Sequence, residues 1–336
     1  LGVYPAKDKY FMGLLGMHGT YQAYMAMHNA DVIIAVGARF DDRITNTPSL
    51  FAPNARIVHI DVDPASISKI INADIPIVGQ VKDSLSALIQ EIKRSKIKID
   101  TEALESWNQQ VAKWREMHGL DHELYLKKNK SQMILPQVVV QELYHATNGN
   151  AWVTSDVGQH QMFVAQYYHF NKPRRWVNSG GLGTMGFGLP AAMGVKLAFP
   201  KDEVVCVTGE GSIQMCIQEL STCLQYNLPI KIININNEAL GMVRQWQDMN
   251  YGGRHSASTY SDSLPDFVKL AESYGHIGMK ITKKADLKKS LEKAFSIKDR
   301  LVFVDVYVDP NEHVYPMLVA PNGSMKDMWI KKNVKA

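Results

Sequence analysis

The sequence reads as an α/β protein of two domains, each a mainly parallel sheet covered by helices. Its 336 residues leave room for two domains of ordinary size, since ~100–200 residues per domain is usual. A composition of 46% hydrophobic and 21% charged residues is that of a globular chain. Apolar runs of strand length alternate with amphipathic stretches of helix length through both halves, the pattern of parallel strands joined by helices.

In the first half, Asp31 to Val36 forms a buried strand ending at Gly37, and Arg56 to Ile60 a second ending in Asp61-Val62-Asp63-Pro64. Ile75 to Val78 is a short third strand. A helix follows over Ser84 to Arg94, with apolar residues at Leu85, Leu88, Ile89 and Ile92. From about Ser95 to Lys130 the chain turns polar. Trp107 and Trp114 lie two helical turns apart there, so a single docking helix presents both on one face. The expected division is thus 1–95 for a first domain, 96–130 for a linker with its docking helix, and 131–336 for a second domain.

The second half offers strands at Ala151–Thr154, Arg175–Val177, Val204–Val207, Lys231–Ile235 and Val302–Val306. The first four run straight into loops of Gly, Ser, Asp or Asn. Ligands of open α/β sheets bind beyond the carboxyl ends of strands, which makes these loops the candidate site.

Several function classes are excluded. The net charge of +4 is small and the basic residues are dispersed, so no nucleic-acid footprint is present. No apolar run approaches the roughly 18 residues of a membrane span. The three cysteines, Cys206, Cys216 and Cys223, read as buried thiols; Cys216 and Cys223 fall on one face of a helix spanning the amphipathic stretch Ile213 to Tyr226. The opening Leu1-Gly2-Val3-Tyr4-Pro5 reads as the middle of a longer chain.

The strongest motif is Thr208-Gly209-Glu210-Gly211-Ser212, placed after a buried strand and before that helical stretch. Glycines on both sides of an acid permit close backbone approach, and a helix N-terminus offers free N–H groups to an anion. Asn236-Asn237 ends the next strand, so two neighbouring strands deliver a carboxylate and an amide oxygen to one point. Such hard oxygen donors suit a magnesium ion that also grips phosphate. Five glycines within Gly180–Gly188 mark a second loop open to close approach by a ligand.

Gly-acid-Gly followed at this distance by Asn-Asn resembles the thiamine-diphosphate signature. Ser155-Asp156-Val157-Gly158-Gln159-His160-Gln161-Met162, Ser179-Gly180-Gly181-Leu182-Gly183-Thr184-Met185-Gly186 and Leu240-Gly241-Met242-Val243-Arg244-Gln245-Trp246-Gln247 are similar to the acetohydroxyacid (acetolactate) synthases, and most to bacterial large catalytic subunits. The resemblance covers essentially the whole chain.

Carried over position by position, it implies magnesium ligands at Glu210, Asn237 and the Ala239 carbonyl. Gln159 and His160 would hold the diphosphate, and Met185 would prop the cofactor into its bent shape. Gly183, Gly209, Gly211, Ser212, Leu240, Gly241 and Met242 would complete the thiamine-diphosphate site. Trp246 would line the acceptor pocket, and Arg43 would stand near the substrate channel. The family has Asp where this chain has Glu210, which puts the same carboxylate on a stem one methylene longer.

In the first half, Gly37 follows a buried strand and Asp61 ends the next, a spacing that catches ribose hydroxyls in dinucleotide folds, although no Gly-x-Gly-x-x-Gly occurs in that half. The resemblance implies FAD binding by His18, Gly19 and Thr20, by Gly37, Ala38 and Arg39, by Asp61, Val62 and Asp63, and by Gly79 and Gln80. Residue readings without a ligand are a loop histidine at His18 and an ordinary turn at Asp63-Pro64.

The implied reaction is a decarboxylating condensation of pyruvate with pyruvate or 2-ketobutyrate in valine, leucine and isoleucine biosynthesis. The flavin would be structural, because the net reaction transfers no electrons. The family's activating Glu lies in an N-terminal domain, so no catalytic residue is assigned within this chain, and the chain by itself is expected to be inactive. The resemblance further implies a homodimer or larger assembly with the cofactor between subunits, a small regulatory subunit and a cytoplasmic setting. The rivals are a pyruvate oxidase, another thiamine-diphosphate carboligase, and a non-catalytic nucleotide-binding fragment. Gln245-Trp246-Gln247 favours the synthase over the oxidase.

Overall fold

The computed structural model describes residues 1–120, 131–260, 263–318 and 328–330; the end of the expected linker, 121–130, lies outside the described residues. The chain forms two compact units, Met12–Asp121 with Tyr315–Ala336, and Leu1–Phe11 with His122–Val314.

In the first of these, α1 (Tyr21–Asn29), β1 (Val32–Val36), a single turn α2 (Asp42–Thr45), β2 (Arg56–Asp61), β3 (Ile75–Val78), α3 (Val81–Ser95) and α4 (Thr101–His118) follow in order. The strands form a parallel sheet ordered β1-β2-β3, with Val36 opposite Ile60 and Ile60 opposite Ile77. That register brings all three carboxyl ends to one edge. Ala35 and Ile57 share a core with Tyr24, Met27 and Phe51. The alternate residues Val32, Ile34 and Val36 face outward and are exposed, as the two-residue period of a strand requires.

Helix α3 starts at Val81 rather than Ser84, and Ile89 and Ile92 on its apolar stripe remain exposed. The docking helix is α4. Its side chains Val111 and Trp114 bury against Ala26 of α1, and Trp107 meets Trp114 edge to face at 5.7 Å.

The other unit contains α5 (Pro136–Thr147), β4 (Trp152–Ser155), α6 (Gln159–Tyr167), β5 (Trp176–Asn178), α7 (Gly188–Ala198) and β6 (Val204–Thr208). It continues with α8 (Glu210–Ile213), α9 (Glu219–Gln225), β7 (Lys231–Asn236), α10 (Gly241–Asn250), α11 (Phe267–Ser273), β8 (Ile277–Ile281), α12 (Leu287–Ser296) and β9 (Val302–Tyr307). Six strands pair in the order β5-β4-β6-β7-β9-β8, every pairing parallel. Every residue of β6 and β7 is buried, which is why these strands read as nearly continuous apolar runs. Strand β4 lies between β5 and β6, so the chain reverses its direction of winding there, at the point where open sheets of this kind hold ligands.

Two expectations change. The stretch Ile213 to Tyr226 is not one helix, because turns such as Cys216 N–H to Ile213 O (3.1 Å) and Glu219 N–H to Cys216 O (3.0 Å) separate α8 from α9. Cys216 therefore sits in a turn and Cys223 in a helix, yet both are buried in the same core with Leu189 and Phe303. Strand β8 was not expected; among the described residues it is an edge strand paired with β9 alone, and its Gly278 and Lys280 break the apolar pattern.

Each unit draws on two separated stretches of chain, unlike the expected 1–95, 96–130 and 131–336. Backbone hydrogen bonds are the reason. Ala6 N–H donates to Phe170 O and Arg174 N–H to Gly2 O within the six-stranded unit. In the three-stranded unit, β10 (Met317–Leu318) pairs with β11 (Met328–Trp329), and Leu318 N–H donates to Met17 O. No described helix is long and apolar enough to cross a membrane.

Phe303 is wholly buried and stacks on Phe267 at 5.8 Å. Phe303→Ala should destabilise the protein by ~3–5 kcal/mol, whereas Ile92→Ala, at a side chain 55% exposed, should stay within about 0.5 kcal/mol. Urea unfolding of the two variants checks the contrast; equal losses would contradict this packing.

Candidate functional site

Strands β4, β6 and β7 end side by side, and their loops enclose a cleft with about 580 Å³ of empty space, open mouth included. Gln159 and His160 reach it from the first turn of α6, Gly209 to Ser212 from the end of β6, and Asn237 and Ala239 from the turn after β7. Leu240, Gly241 and Met242 line it at the start of α10, and Met185 closes part of its wall. Gly183 stands back from the lining; a Cβ there would come 3.9 Å from the wall residue Val157. Trp246, further along α10, is half-buried and does not line the cleft.

The carboxylate of Glu210 is almost wholly buried, at 1% exposure. Its Oε1 accepts the Ala239 N–H at 2.8 Å, and Asn237 Oδ1 accepts the same N–H at 3.2 Å. Two oxygens thus converge on one donor. Burial pushes the Glu210 carboxyl up to about 8, against the pull of backbone hydrogen bonds and with further upward pressure from Asp305. A carboxylate so poorly supplied with positive charge is the environment that a divalent cation completes. Among the described residues no cluster of three or more His, Cys, Asp or Glu forms a metal cage. The donors here are instead one carboxylate, one amide oxygen and one carbonyl, a set suited to magnesium.

His160 is buried, and burial lowers its pKa to about 3, opposed by a hydrogen bond to the Asp156 backbone. The ring is therefore neutral, and its Nε2 is buried without a partner among the described residues. The first N–H groups of α6 and α10 have no partners within their helices. An anion such as a diphosphate fits this combination of helix N-termini and an unpaired imidazole nitrogen.

The glycines flanking Glu210 line the cleft and also let protein side chains pack closely against the backbone. A Cβ at Gly209 would lie 2.8 Å from His160 Nδ1, and one at Gly211 would lie 2.7 Å from Tyr260 Oη. Much of the space they free is therefore filled by protein side chains rather than left for a ligand.

Sequence reasoning missed Asp156, Gln245 and Tyr260. Asp156 is fully buried and accepts Gly186 N–H at 2.7 Å and Thr208 Oγ1–H at 3.2 Å. It ties the glycine loop to the end of β6, and burial raises its pKa despite these bonds. Its only sequence signal is its place at the tip of a buried strand. Ser212 Oγ donates to Val157 O at 3.0 Å, a further tie between the β4 and β6 loops.

In the three-stranded unit, the expected flavin stretches meet at the carboxyl edge of the sheet. Gly37 N–H donates to Ile60 O and Gly79 N–H to Asp61 O, joining the turns after β1 and β3 to the end of β2. Ala38 O contacts His59 Nε2 at 2.8 Å, and Arg39 pairs with Asp41. Asp61 Oδ1 accepts Asp63 N–H. The Asp63 carboxylate is engaged by Ala65 N–H and Ser66 Oγ–H, as an ordinary turn. Val62 is exposed, and Gln80 precedes the first residue of α3 without a side-chain capping bond. His18 and Thr20 are buried in the loop before α1, where Gly19 N–H donates to Gly16 O. Burial lowers His18 to about 4, helped by the charge of Arg43, whose own side chain is exposed.

Because burial holds the folded Glu210 pKa above its ordinary value of 4.5, the group's contribution to stability is complete below that pH and is lost as pH rises to about 8. Replacement by the permanently neutral Glu210→Gln should therefore raise the melting temperature of the metal-free protein. The difference should grow from pH 5 to pH 8, reach a few degrees, and then level off. A difference that does not change with pH would show that Glu210 ionises normally.

Comparison with known proteins bears on this geometry. The model described as "Thiamine pyrophosphate enzyme, C-terminal TPP binding domain" matches residues 156–306, and "Thiamine pyrophosphate enzyme, central domain" matches residues 1–88. The chain is 55% identical over 334 residues to the acetolactate synthase isozyme 3 large subunit of Escherichia coli, covering 99% of this chain and 57% of that protein. It is 54% identical over 332 residues to an acetolactate synthase large subunit of Haemophilus influenzae, with 99% and 56% covered. With a large subunit of Corynebacterium glutamicum the identity is 41% over 325 residues, covering 95% and 51%. The chain thus spans little more than half the length of these relatives. It belongs to the thiamine pyrophosphate enzymes, matching their central and C-terminal domains, and is similar over nearly all its length to acetolactate synthase large subunits.

Proposed function

We propose that this chain is the cofactor-binding part of an acetolactate synthase large subunit, joining pyruvate to pyruvate or 2-ketobutyrate with loss of carbon dioxide. The observation that carries the reading is the meeting of Glu210, Asn237 and Ala239 with the unpaired His160 Nε2 in one cleft. The relatives named acetolactate synthase large subunits support the choice of reaction.

Magnesium is held by Glu210, Asn237 Oδ1 and the Ala239 carbonyl, and the diphosphate by the N-terminal turns of α6 and α10. An anion beside His160 favours its protonated form, so the imidazole becomes a donor when the diphosphate arrives. Gln159 has both ends of its amide engaged within the protein, which leaves its second Nε2 hydrogen for the diphosphate. Met185 and Leu240 give the cleft apolar walls that support the cofactor and exclude water. Thiamine diphosphate, when bound, supplies the carbon centre that takes up the charge left by decarboxylation. The protein contributes position, shielding and the cation.

FAD is assigned to the carboxyl edge of the three-stranded sheet, where the turns at Gly37, Asp61 and Gly79 are tied together, with His18 to Thr20 as the further contact. Trp246 and Arg43 are assigned to the substrate. The large-subunit names of the relatives favour a small regulatory partner and assembly with a second copy, and a cytoplasmic setting belongs to the same reading.

Product analysis of the full-length protein with pyruvate, thiamine diphosphate and Mg2+ tests the reaction. Acetolactate is expected; acetyl phosphate with peroxide would instead establish an oxidase. Glu210→Ala should weaken magnesium and thiamine diphosphate together, and Glu210→Asp should tighten both. Below about pH 8 a proton competes with the cation, so Mg2+ affinity should rise up to roughly tenfold per pH unit and then level off. Unchanged half-saturation points in Glu210→Ala would remove this carboxylate from the metal site. Trp246→Leu should lower the preference for 2-ketobutyrate, because a methyl group is worth about 1–3 kcal/mol in an apolar pocket. A constant product ratio with mixed substrates would place Trp246 outside it.

A further inference from the structure

Three amides, Gln159 and Gln245 buried and Asn237 half-buried, form a hydrogen-bonded line behind the candidate cation site. Gln245 is fully buried on α10. Its Oε1 accepts Val314 N–H at 2.9 Å, and its Nε2 donates to Val314 O at 3.0 Å. Gln159 Nε2 donates to the same Gln245 Oε1 at 2.8 Å. Asn237 Nδ2 donates to Gln159 Oε1 at 3.0 Å. Asn237 Oδ1 is left on the side of Ala239 N–H and the Glu210 carboxylate.

A backbone N–H can only donate and a carbonyl can only accept. The pair of hydrogen bonds to Val314 therefore admits one orientation of the Gln245 amide. That orientation presents an oxygen to Gln159, which must answer with Nε2 and turn its own oxygen towards Asn237. Asn237 must then donate with Nδ2, which leaves Oδ1 on the side of the Ala239 N–H that Glu210 also accepts. Reversing either Gln159 or Asn237 alone would set acceptor against acceptor or donor against donor in a buried place. Gly241 protects the line: a Cβ there would lie 2.2 Å from Gln159 Oε1 and 2.4 Å from Asn237 Nδ2.

We propose that Gln245 is a positioning residue, and that the Val314 backbone acts through Gln245 and Gln159 to hold the Asn237 side-chain oxygen towards the cation. The inference rests on the assignment of Asn237 as a magnesium ligand. Gln245 does not line the cleft, so its influence is on the orientation of groups that do.

Isothermal titration of the metal-free full-length protein with Mg2+, at saturating thiamine diphosphate, tests it. Gln245→Met releases Gln159 and should weaken Mg2+ binding roughly tenfold, the usual scale for partners of metal ligands. Gln245→Glu, protonated in this buried place, keeps an accepting oxygen and one donor, and should stay within about threefold of wild type. Asn237→Asp sets a carboxylate oxygen against Gln159 Oε1 and should weaken binding. Adding Gln245→Met to Asn237→Asp frees Gln159 to turn its Nε2 towards Asp, so the double variant should bind Mg2+ more tightly than Asn237→Asp alone.

That reversal of sign is an outcome a merely structural role does not produce. A Gln245→Met effect of the same sign in both backgrounds, with melting temperatures of the metal-free variants unchanged, would overturn the proposal. If Gln245→Met melts early, the Gln245→Glu titration decides: a loss as large as that of Asn237→Asp overturns it, and near-wild-type affinity supports it. A wild-type protein that takes up neither Mg2+ nor thiamine diphosphate overturns the cofactor site and this inference with it. Uptake by wild type that is unaltered in every Gln245 variant overturns the inference alone.

Discussion

The hydrogen bond from Ala239 N–H to Glu210 Oε1 is the contact on which the candidate site depends. It joins the loop after β6 to the turn after β7, and both loops owe their positions to the parallel pairing of Thr208 with Asn234 at the strand ends. Burial to 1% exposure outweighs the backbone N–H groups of Ala239 and Asn237 that reach the carboxylate, and pushes the Glu210 carboxyl up. The same desolvation makes the place attractive to a cation. A site that is electrostatically unsatisfied by itself but geometrically complete stores its binding energy for the missing charge.

Around that contact the protein keeps its other polar groups paired. Asp305 accepts the side chains of both Asn234 and Asn236, and Asn236 Oδ1 accepts Glu238 N–H. The first Asn of the Asn-Asn pair thus shapes the turn, while the second is turned towards Glu210. Glu238 adopts a positive φ of 56° in that turn, a conformation that costs a non-glycine residue free energy. The bonds from Asn236 and Tyr260 N–H to this segment hold it in place. Asp156 plays the corresponding role for the glycine loop, where it gathers Gly186, Val157 and Thr208.

The three-stranded unit follows the same logic with backbone groups in place of side chains. Turns after β1 and β3 both bond to the end of β2, which gathers Gly37, Asp61 and Gly79. Its exposed strand residues Val32, Ile34 and Val36 show that hydrophobic pattern alone did not settle which face is covered.

The sequence by itself determined the parallel α/β architecture, because the buried strands β6, β7 and β9 read as nearly continuous apolar runs and the helices between them as periodic. It also determined which loops form the cleft, since Gly209 to Ser212 and Asn236-Asn237 stand at strand tips where the fold places ligands. Only the tertiary structure decided the rest. The break between α8 and α9, the edge strand β8 and the exchange of terminal segments between units all rest on single hydrogen bonds or pairings that leave no periodic signal. Gln245 and Asp156 lie far in sequence from the groups they hold. Amide polarity in the line from Val314 to Asn237 is set by which atoms meet across folded segments, and no local pattern of residues encodes that meeting.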